Sequence, residues 1–246
     1  MLLKALTKKV RGSPITKQPE KRNCPREEIH IDNEEIERVD NFVYLSSNFN
    51  EKTTDEDDIS RRIQMAAAAI NRIGKLLWHK ATPRRVKVKM IMTFVYPTVA
   101  YGCESWAIAE QDKRRLDVWW MKTLRRVLGV TKRDKVRSEA ILRELKASKL
   151  SVLIEERQLR YCGHKERYPE DRWVKFVTRA ALPGQKKTGQ QKQYCKTISK
   201  LLQKHGLTTD MMMDKKGWRT RLTEIFPKSN EEKPQPSPIG TEQSEN

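Results

Sequence analysis

Apolar residues at Ile59, Ile63, Ala66, Ile70, Ile73 and Leu77 recur in steps of four and three, which confines them to one wedge of a helical wheel. The spacing predicts a long helix with a single buried seam. Thr53 and Glu56 form a capping box at its start, while Arg61, Arg72 and Lys75 fall on the opposite side. Thr82 followed by Pro83 reads as an N-cap and a first-turn proline, opening a second helix through Met90 and Phe94. Pro97 should end or kink it, having no N–H to donate. A third helix carries Leu116, Trp120, Thr123, Leu124 and Val127 on one face. Arg115, Lys122 and Arg126 line its other side, with Trp119 beside that stripe. Gly129 stands where a left-handed C-terminal residue is wanted, and Arg125 and Arg126 complement the helix dipole. Between the second and third helices, Gly102 permits a sharp turn and Trp106 supplies a large apolar anchor.

Before these helices, Ile29 and Ile31 alternate with polar residues, and Asp32–Asn33 offers a turn. Ile36, Val39, Phe42, Val43, Tyr44 and Leu45 follow, predicting two or three short strands. After Gly129 a short helix is expected over residues 138–145 and a longer one from Leu150. On the longer one Leu150, Ile154, Arg157, Tyr161, His164 and Tyr168 share a face. Such a stripe can stack on unpaired bases or simply be a partly buried helix face. Further helices are expected from Pro169 to Pro183, from Thr197 to His205 with Gly206 as its stop, and from Trp218 to Phe226. The fold class is therefore mainly α: a small N-terminal β hairpin or meander, then a helical bundle and further C-terminal helices. The expected division is a basic arm (1–28), a β segment (29–50), a helical domain (51–130), a helical connection (131–183), a flexible basic linker (184–194), C-terminal helices (195–226) and a tail (227–246).

A net charge of +19 and a pI near 9.9 exceed what solubility requires. A polyanionic partner, above all a nucleic-acid backbone, is the expected consequence. The arm over residues 1–28 alone carries eight Lys or Arg, broken by Gly12, Pro14, Pro19 and Pro25. No run of about 18 apolar residues is present and Met1–Val10 is short and lysine-rich, so a soluble intracellular protein, nuclear or cytoplasmic and without a membrane partner, is expected. Cys24, Cys103, Cys162 and Cys195 form no CxxC or CxxxC pair, and Cys162 with His164 lacks a second pair to complete four ligands. Reduced thiols and no bound metal are expected. Asp55, Glu56, Asp57 and Asp58 are consecutive acids at a helix start, which dipole stabilisation explains.

Two ordered blocks carry a resemblance. Tyr101–Trp106 reads Tyr-Gly-Cys-Glu-Ser-Trp, and Arg114-Arg115-Leu116, Met121 and Leu124-Arg125-Arg126-Val127-Leu128-Gly129 follow. This resembles the region after the catalytic palm in the endonuclease/reverse transcriptases of non-LTR (LINE-type) retrotransposons. There the hexad is Tyr-Gly-Cys-Glu-Thr-Trp and the later block is Leu-Arg-Arg-Ile-Leu-Gly. Arg157, Leu159, Arg160, Gly163 and His164 match a further family pattern, with Tyr161 and Cys162 in place of its aromatics and Lys165 and Glu166 in place of apolar residues. Phe42–Ser47 is similar to the primer-grip segment, Ser46 standing for a glycine. If that glycine uses a positive φ, serine strains the loop. Gly184–Gln193 is similar to a Gly-Arg-Pro linker, and Asp214 with Trp218-Arg219 echoes Asp-Arg-x-x-Trp-Arg.

The resemblance implies end-of-palm strands, a thumb-like helical domain and a C-terminal connection that grip template and primer, RNA or an RNA/DNA duplex. The contact residues it implies, together with the basic stripes, are Arg61, Arg72, Lys75, Arg114, Arg115, Trp119, Lys122, Arg125, Arg126, Arg157, Arg160, Tyr161, His164, Lys186 and Lys187, with Tyr44, Leu45 and Ser46 as the primer-grip segment. The family's metal-holding aspartates come from an upstream strand and a Tyr-Ala-Asp-Asp turn, and neither is in this sequence. Catalysis by this chain alone is therefore not expected, and Mg²⁺ is expected only for a full-length family enzyme, whose palm and fingers would be a further partner. Two other classes fit the same residues: a helical scaffold that binds protein or itself through the Tyr161/His164/Tyr168 stripe, and a transposon relic.

Overall fold

A computed structural model describes residues 30–31, 34–35, 39, 41–50, 55–175 and 194–227. The basic arm, Thr53, the linker with Lys186 and Lys187, and the tail lie outside the described residues. The chain divides into two units, Met1–Phe42 and Val43–Asn246. In the first, β1 (His30–Ile31) and β2 (Glu34–Glu35) pair antiparallel, His30 opposite Glu35 and Ile31 opposite Glu34. Strands β3 (Asn41–Tyr44) and β4 (Ser47–Asn50) form another two-stranded sheet. The rest is helical, so the mainly α expectation with a small N-terminal hairpin holds.

The seam from Ile59 to Leu77 is buried as its spacing predicts, with Ile59, Ala66 and Leu77 fully inside and Ile63 and Ile73 packed against the core. It spans two helices rather than one. Helix α1 (Glu56–Arg72) stops at Ile73, and α2 (Gly74–Leu77) resumes after it. Glycine is the weakest non-proline helix former, and the break falls at the residue before Gly74. Asp55 stands before the helix, and its carboxylate accepts the Ala107 N–H at 2.6 Å instead of capping. Thr82 is not a cap either. Its hydroxyl donates to the Leu76 carbonyl at 2.9 Å, and α3 (Arg84–Met90) starts two residues later, after Pro83.

Pro97 does not end the helix at once. The α3 helix continues into a π-helical turn (Ile91–Val95) and then α4 (Tyr96–Val99). The wider turn lies just where the proline ring would crowd the carbonyl four residues back and leave it without a donor. Gly102 then turns the chain with φ of 75°, and a 3₁₀ turn (Cys103–Ser105) leads to Trp106. Trp106 is buried, its indole N–H donating to the Asp58 carboxylate at 3.1 Å. Helix α5 (Glu110–Leu128) buries Leu116, Trp120, Thr123, Leu124 and Val127, as the wheel predicts, and adds Met121. Gly129 closes it with φ of 76°.

Helix α6 (Ser138–Glu144) packs beside α5, and α7 (Leu150–Glu166) follows. One orphan donor at the start of α7 is met by Asp117, which accepts the Ser151 N–H at 2.9 Å and also its hydroxyl at 2.7 Å. The expected single stripe on α7 is not what the helix buries. Leu150 and Ile154 enter the core built by α1 to α6, whereas Leu159 and Cys162 enter a second core made with α8 (Tyr194–Lys204) and α9 (Lys215–Ile225). A helix serving two cores spreads its buried positions around the wheel. Gly163 allows the second contact: a Cβ there would stand 2.3 Å from Trp218 Nε1. Lys165 occupies a buried position, its ammonium 5.2 Å from the centroid of the Tyr194 ring. Asp214 caps α9, accepting from the Lys216 and Gly217 amides.

Candidate nucleic-acid interface

The cations expected to face a nucleic acid divide into two sets. The first is compensated in place. Arg61 donates to the Ser46 carbonyl at 2.7 Å, and the buried Arg62 beside it donates to the same oxygen, lies 4.4 Å over the Tyr101 ring and meets Asp58 at 3.7 Å. Burial lowers the Arg62 pKa against the pull of Asp58. Together these side chains pin the Leu45–Ser46 turn, whose φ values of 46° and 66° are both positive. Tyr101 adds a hydroxyl bond to the Leu45 carbonyl at 3.3 Å. The condition for strain at Ser46 is thus met. Two positive φ values suit a tight hairpin whose twist matches its strands, and neither leucine nor serine favours them.

Farther along, Arg115 meets Glu56 at 4.0 Å and Arg160 meets Glu156 at 2.7 Å. Arg157 donates through Nε to Glu104 at 2.9 Å. Burial works against its charge, but the Cys103 thiol and the Glu104 carboxylate outweigh it and hold the guanidinium above its usual pKa. His164 and Tyr168 bond each other at 2.9 Å, with Tyr161 half-buried on the same helix. At the core of this region Glu155, 4% exposed, accepts from Lys113 at 3.2 Å and Lys204 at 2.7 Å. Desolvation alone would raise the Glu155 pKa, but these two ammonium groups bring it below the ordinary carboxylate value. Lys113, Glu155 and Lys204 therefore tie α5, α7 and α8 together; none of the three was anticipated from the sequence.

A second set, Lys122, Arg125 and Arg126, lies toward the other end of α5. Helix α3 packs against α5 there. Between Ile59 and Cys103 the chain has no Asp or Glu but nine Lys or Arg: Arg61, Arg62, Arg72, Lys75, Lys80, Arg84, Arg85, Lys87 and Lys89. From Val118 to Arg133 it again has no acid, and Lys122, Arg125 and Arg126 lie in that interval. The fold brings the two intervals together. Lys80, Arg84, Lys87 and Arg126 line a groove of about 550 Å³ with Trp78 and Pro83. The Arg126 guanidinium lies 4.1 Å from the centroid of the Trp78 ring. Among the described residues, none of Lys80, Lys87, Lys122 and Arg126 meets a carboxylate; Arg84 meets Glu144 at 3.3 Å, both more than half exposed. Arg125 bonds the Ser138 hydroxyl at 3.1 Å, and Arg72, Lys75, Arg114 and Lys122 are exposed. Trp119 is half-buried against Trp120.

Trp78, Lys80, Arg84 and Lys87 were absent from the residues expected from sequence. The signal that could have found them is the long acid-free interval, since cations without local carboxylates cannot be neutralised by helix neighbours. A separate concavity of about 500 Å³ lies beside the β3–β4 turn, lined by Tyr44, Leu45, Phe49, Tyr101, Glu104 and Arg157. Tyr44, Leu45 and Phe49 are exposed. Among the described residues no group of three or more His, Cys, Asp or Glu stands close enough to hold a metal ion, and no helix is long and apolar enough to cross a membrane. Cys103 and Cys162 are buried and unpaired, burial pushing their thiols up to about 12 and about 11.

No known protein family matches the chain, and no solved structure matches it. The chain is 26% identical over 149 residues to an uncharacterized transposon-derived protein of Caenorhabditis elegans, F52C9.6. That match covers 58% of this chain and 53% of the relative, so the chain spans about half the length of the protein it resembles. The likeness supports a transposon origin.

Proposed function

We propose that this chain is a transposon-derived piece of a LINE-type reverse transcriptase whose helical, thumb-like frame binds nucleic acid through the basic groove between α3 and the C-terminal end of α5. The observation that carries this reading is the convergence of two acid-free intervals on one groove. Four cations held within a site of this size repel one another, and a polyanion relieves that repulsion by replacing counterions. Arg61, Arg115, Arg157 and Arg160 have carboxylate or carbonyl partners, so their role is to hold the frame. Regions that precede the chain in a longer element are a further partner, meeting the exposed residues Tyr44, Leu45 and Phe49 of the β3–β4 hairpin.

The test is binding of a fluorescent RNA/DNA duplex at a series of salt concentrations. Log K should fall linearly with log salt, at a slope of roughly −0.9 per phosphate contacted. A slope near zero would rule out a backbone grip. The same preparation should incorporate no deoxynucleotide on a primed RNA template with Mg²⁺, because the metal-holding aspartates of the family lie outside this sequence. Incorporation above background would overturn that part of the proposal.

A further inference from the structure

Within the basic groove one cation is placed differently from the rest. Arg126 is stacked 4.1 Å from the centroid of the Trp78 ring while remaining exposed. An indole face attracts a guanidinium and fixes the orientation of its plane. Trp78 in turn packs beside Gly74, where a Cβ would stand 3.6 Å from the indole Cδ1, so the pair is seated on the α1–α2 break. The Arg126 guanidinium therefore lies over the indole while the residue lines the groove and stays exposed to it. That groove, about 550 Å³, is of the size that accepts one small group such as a nucleotide, whereas a duplex would present only its backbone to the lining cations. Around it stand Lys80, Arg84 and Lys87, whose charges suit phosphates. The Arg84–Glu144 pair is exposed, so a phosphate can replace the carboxylate at little cost.

We infer that this groove takes a single-stranded polynucleotide, with one nucleobase stacked on the Arg126 guanidinium and the flanking phosphates against Lys80, Arg84 and Lys87. Trp78 is the positioning residue that holds the guanidinium plane. Arginine planes stack on unpaired bases, and a stack of this kind tolerates any base because each has a π face. The inference rests on the nucleic-acid reading above but adds a base-dependent component that a backbone grip lacks.

The experiment compares a 12-nucleotide single strand of deoxythymidine with an abasic strand carrying the same number of phosphates, in both cases titrated against the full chain. An RNA strand of uridine in parallel reports whether the 2′-hydroxyl matters. Wild type should favour the base-bearing strand by roughly 5- to 100-fold, the range of one base–side-chain stack. Arg126→Lys keeps the charge and loses the plane, so the preference should fall to about onefold while the salt slope stays put. Trp78→Leu should reduce the preference likewise, and Trp78→Phe should retain most of it. Circular dichroism melts confirm that each variant is folded. Equal wild-type affinity for the two strands, with a steep salt slope, overturns the stacking site and leaves the backbone reading standing. Undiminished preference in Arg126→Lys also overturns it. Absence of binding to every strand, together with a flat duplex titration, overturns both.

Discussion

Replacing Gly163 by alanine tests how α7 serves its second core. An added Cβ would lie 2.3 Å from Trp218 Nε1, 2.7 Å from Cδ1 and 2.8 Å from Cε2, all closer than carbon and nitrogen tolerate. Trp218 is 2% exposed and packed among Cys162, Leu222 and Met212, so the indole has nowhere to retreat without moving α9. Overpacking of this kind costs about 1–3 kcal/mol, and three simultaneous clashes with a rigid ring belong at the upper end. Alanine recovers about 1 kcal/mol of helix propensity over glycine. The balance is a loss of about 2 kcal/mol, a drop in Tm of roughly 4–8 °C for a chain of this size. The decisive measurement is the same substitution made in a Trp218→Leu background, with both pairs followed by urea unfolding. There the clash is gone and only propensity remains, so Gly163→Ala should stabilise by about 1 kcal/mol. The reasoning fails if the substitution stabilises the wild-type background, or if its cost is the same in both.

Three further outcomes follow from the fold. Burial raises the Asp55 pKa from 3.8 to about 6, so folding favours its protonated form. Its contribution should weaken as pH rises from about 4 through about 6, costing up to about 3 kcal/mol above that range; Asp55→Asn should flatten the dependence of the urea midpoint over this window and raise it at pH 7. Glu155 is shifted the other way, below its usual value by Lys204 and Lys113. Its stabilisation should be present above the unfolded carboxylate pKa and be lost as pH falls below it. Glu155→Gln should remove that acid-side loss, lower neutral stability by about 2 kcal/mol after allowance for the exposed Lys204, and speed proteolysis of α8. Ser46→Gly, at φ of 66°, should stabilise the chain by about 1 kcal/mol, seen as a raised Tm, with no change in fold.

Local patterns predicted the fold wherever one helix faced one core. The α5 wheel, its Gly129 stop and the α1 seam needed only spacing of three and four. The break at Ile73 and the π turn before Pro97 depend on how neighbouring segments absorb one weak or forbidden hydrogen bond, which periodicity does not register. Helix α7 was misread for a different reason: its buried residues answer to two cores, and the second is built by α8 and α9, about 30 or more residues later. For the candidate site, charge and the α5 stripe pointed to Lys122 and Arg126. Trp78 escaped because its partner Arg126 is distant in sequence, and no local pattern marks a stacked pair. Arg61, Arg115 and Arg157 were legible as cations but not as compensated ones, since Ser46, Glu56 and Glu104 reach them only through the tertiary fold; Arg160 meets Glu156 one turn away on its own helix, a pair that spacing alone marks.

The central claim is that polyanion binding is localised in the groove between α3 and α5. Its most direct test is the salt dependence of duplex binding by wild type and two variants of equal net charge. One changes Lys80, Arg84, Lys87 and Arg126 to glutamine; the other changes Lys196, Lys200, Lys215 and Lys216, exposed on α8 and α9, to glutamine. The account predicts a slope shallower by roughly 0.9 for each lost phosphate contact in the groove variant, with the distal variant close to wild type. Equal slopes in the two variants would contradict it.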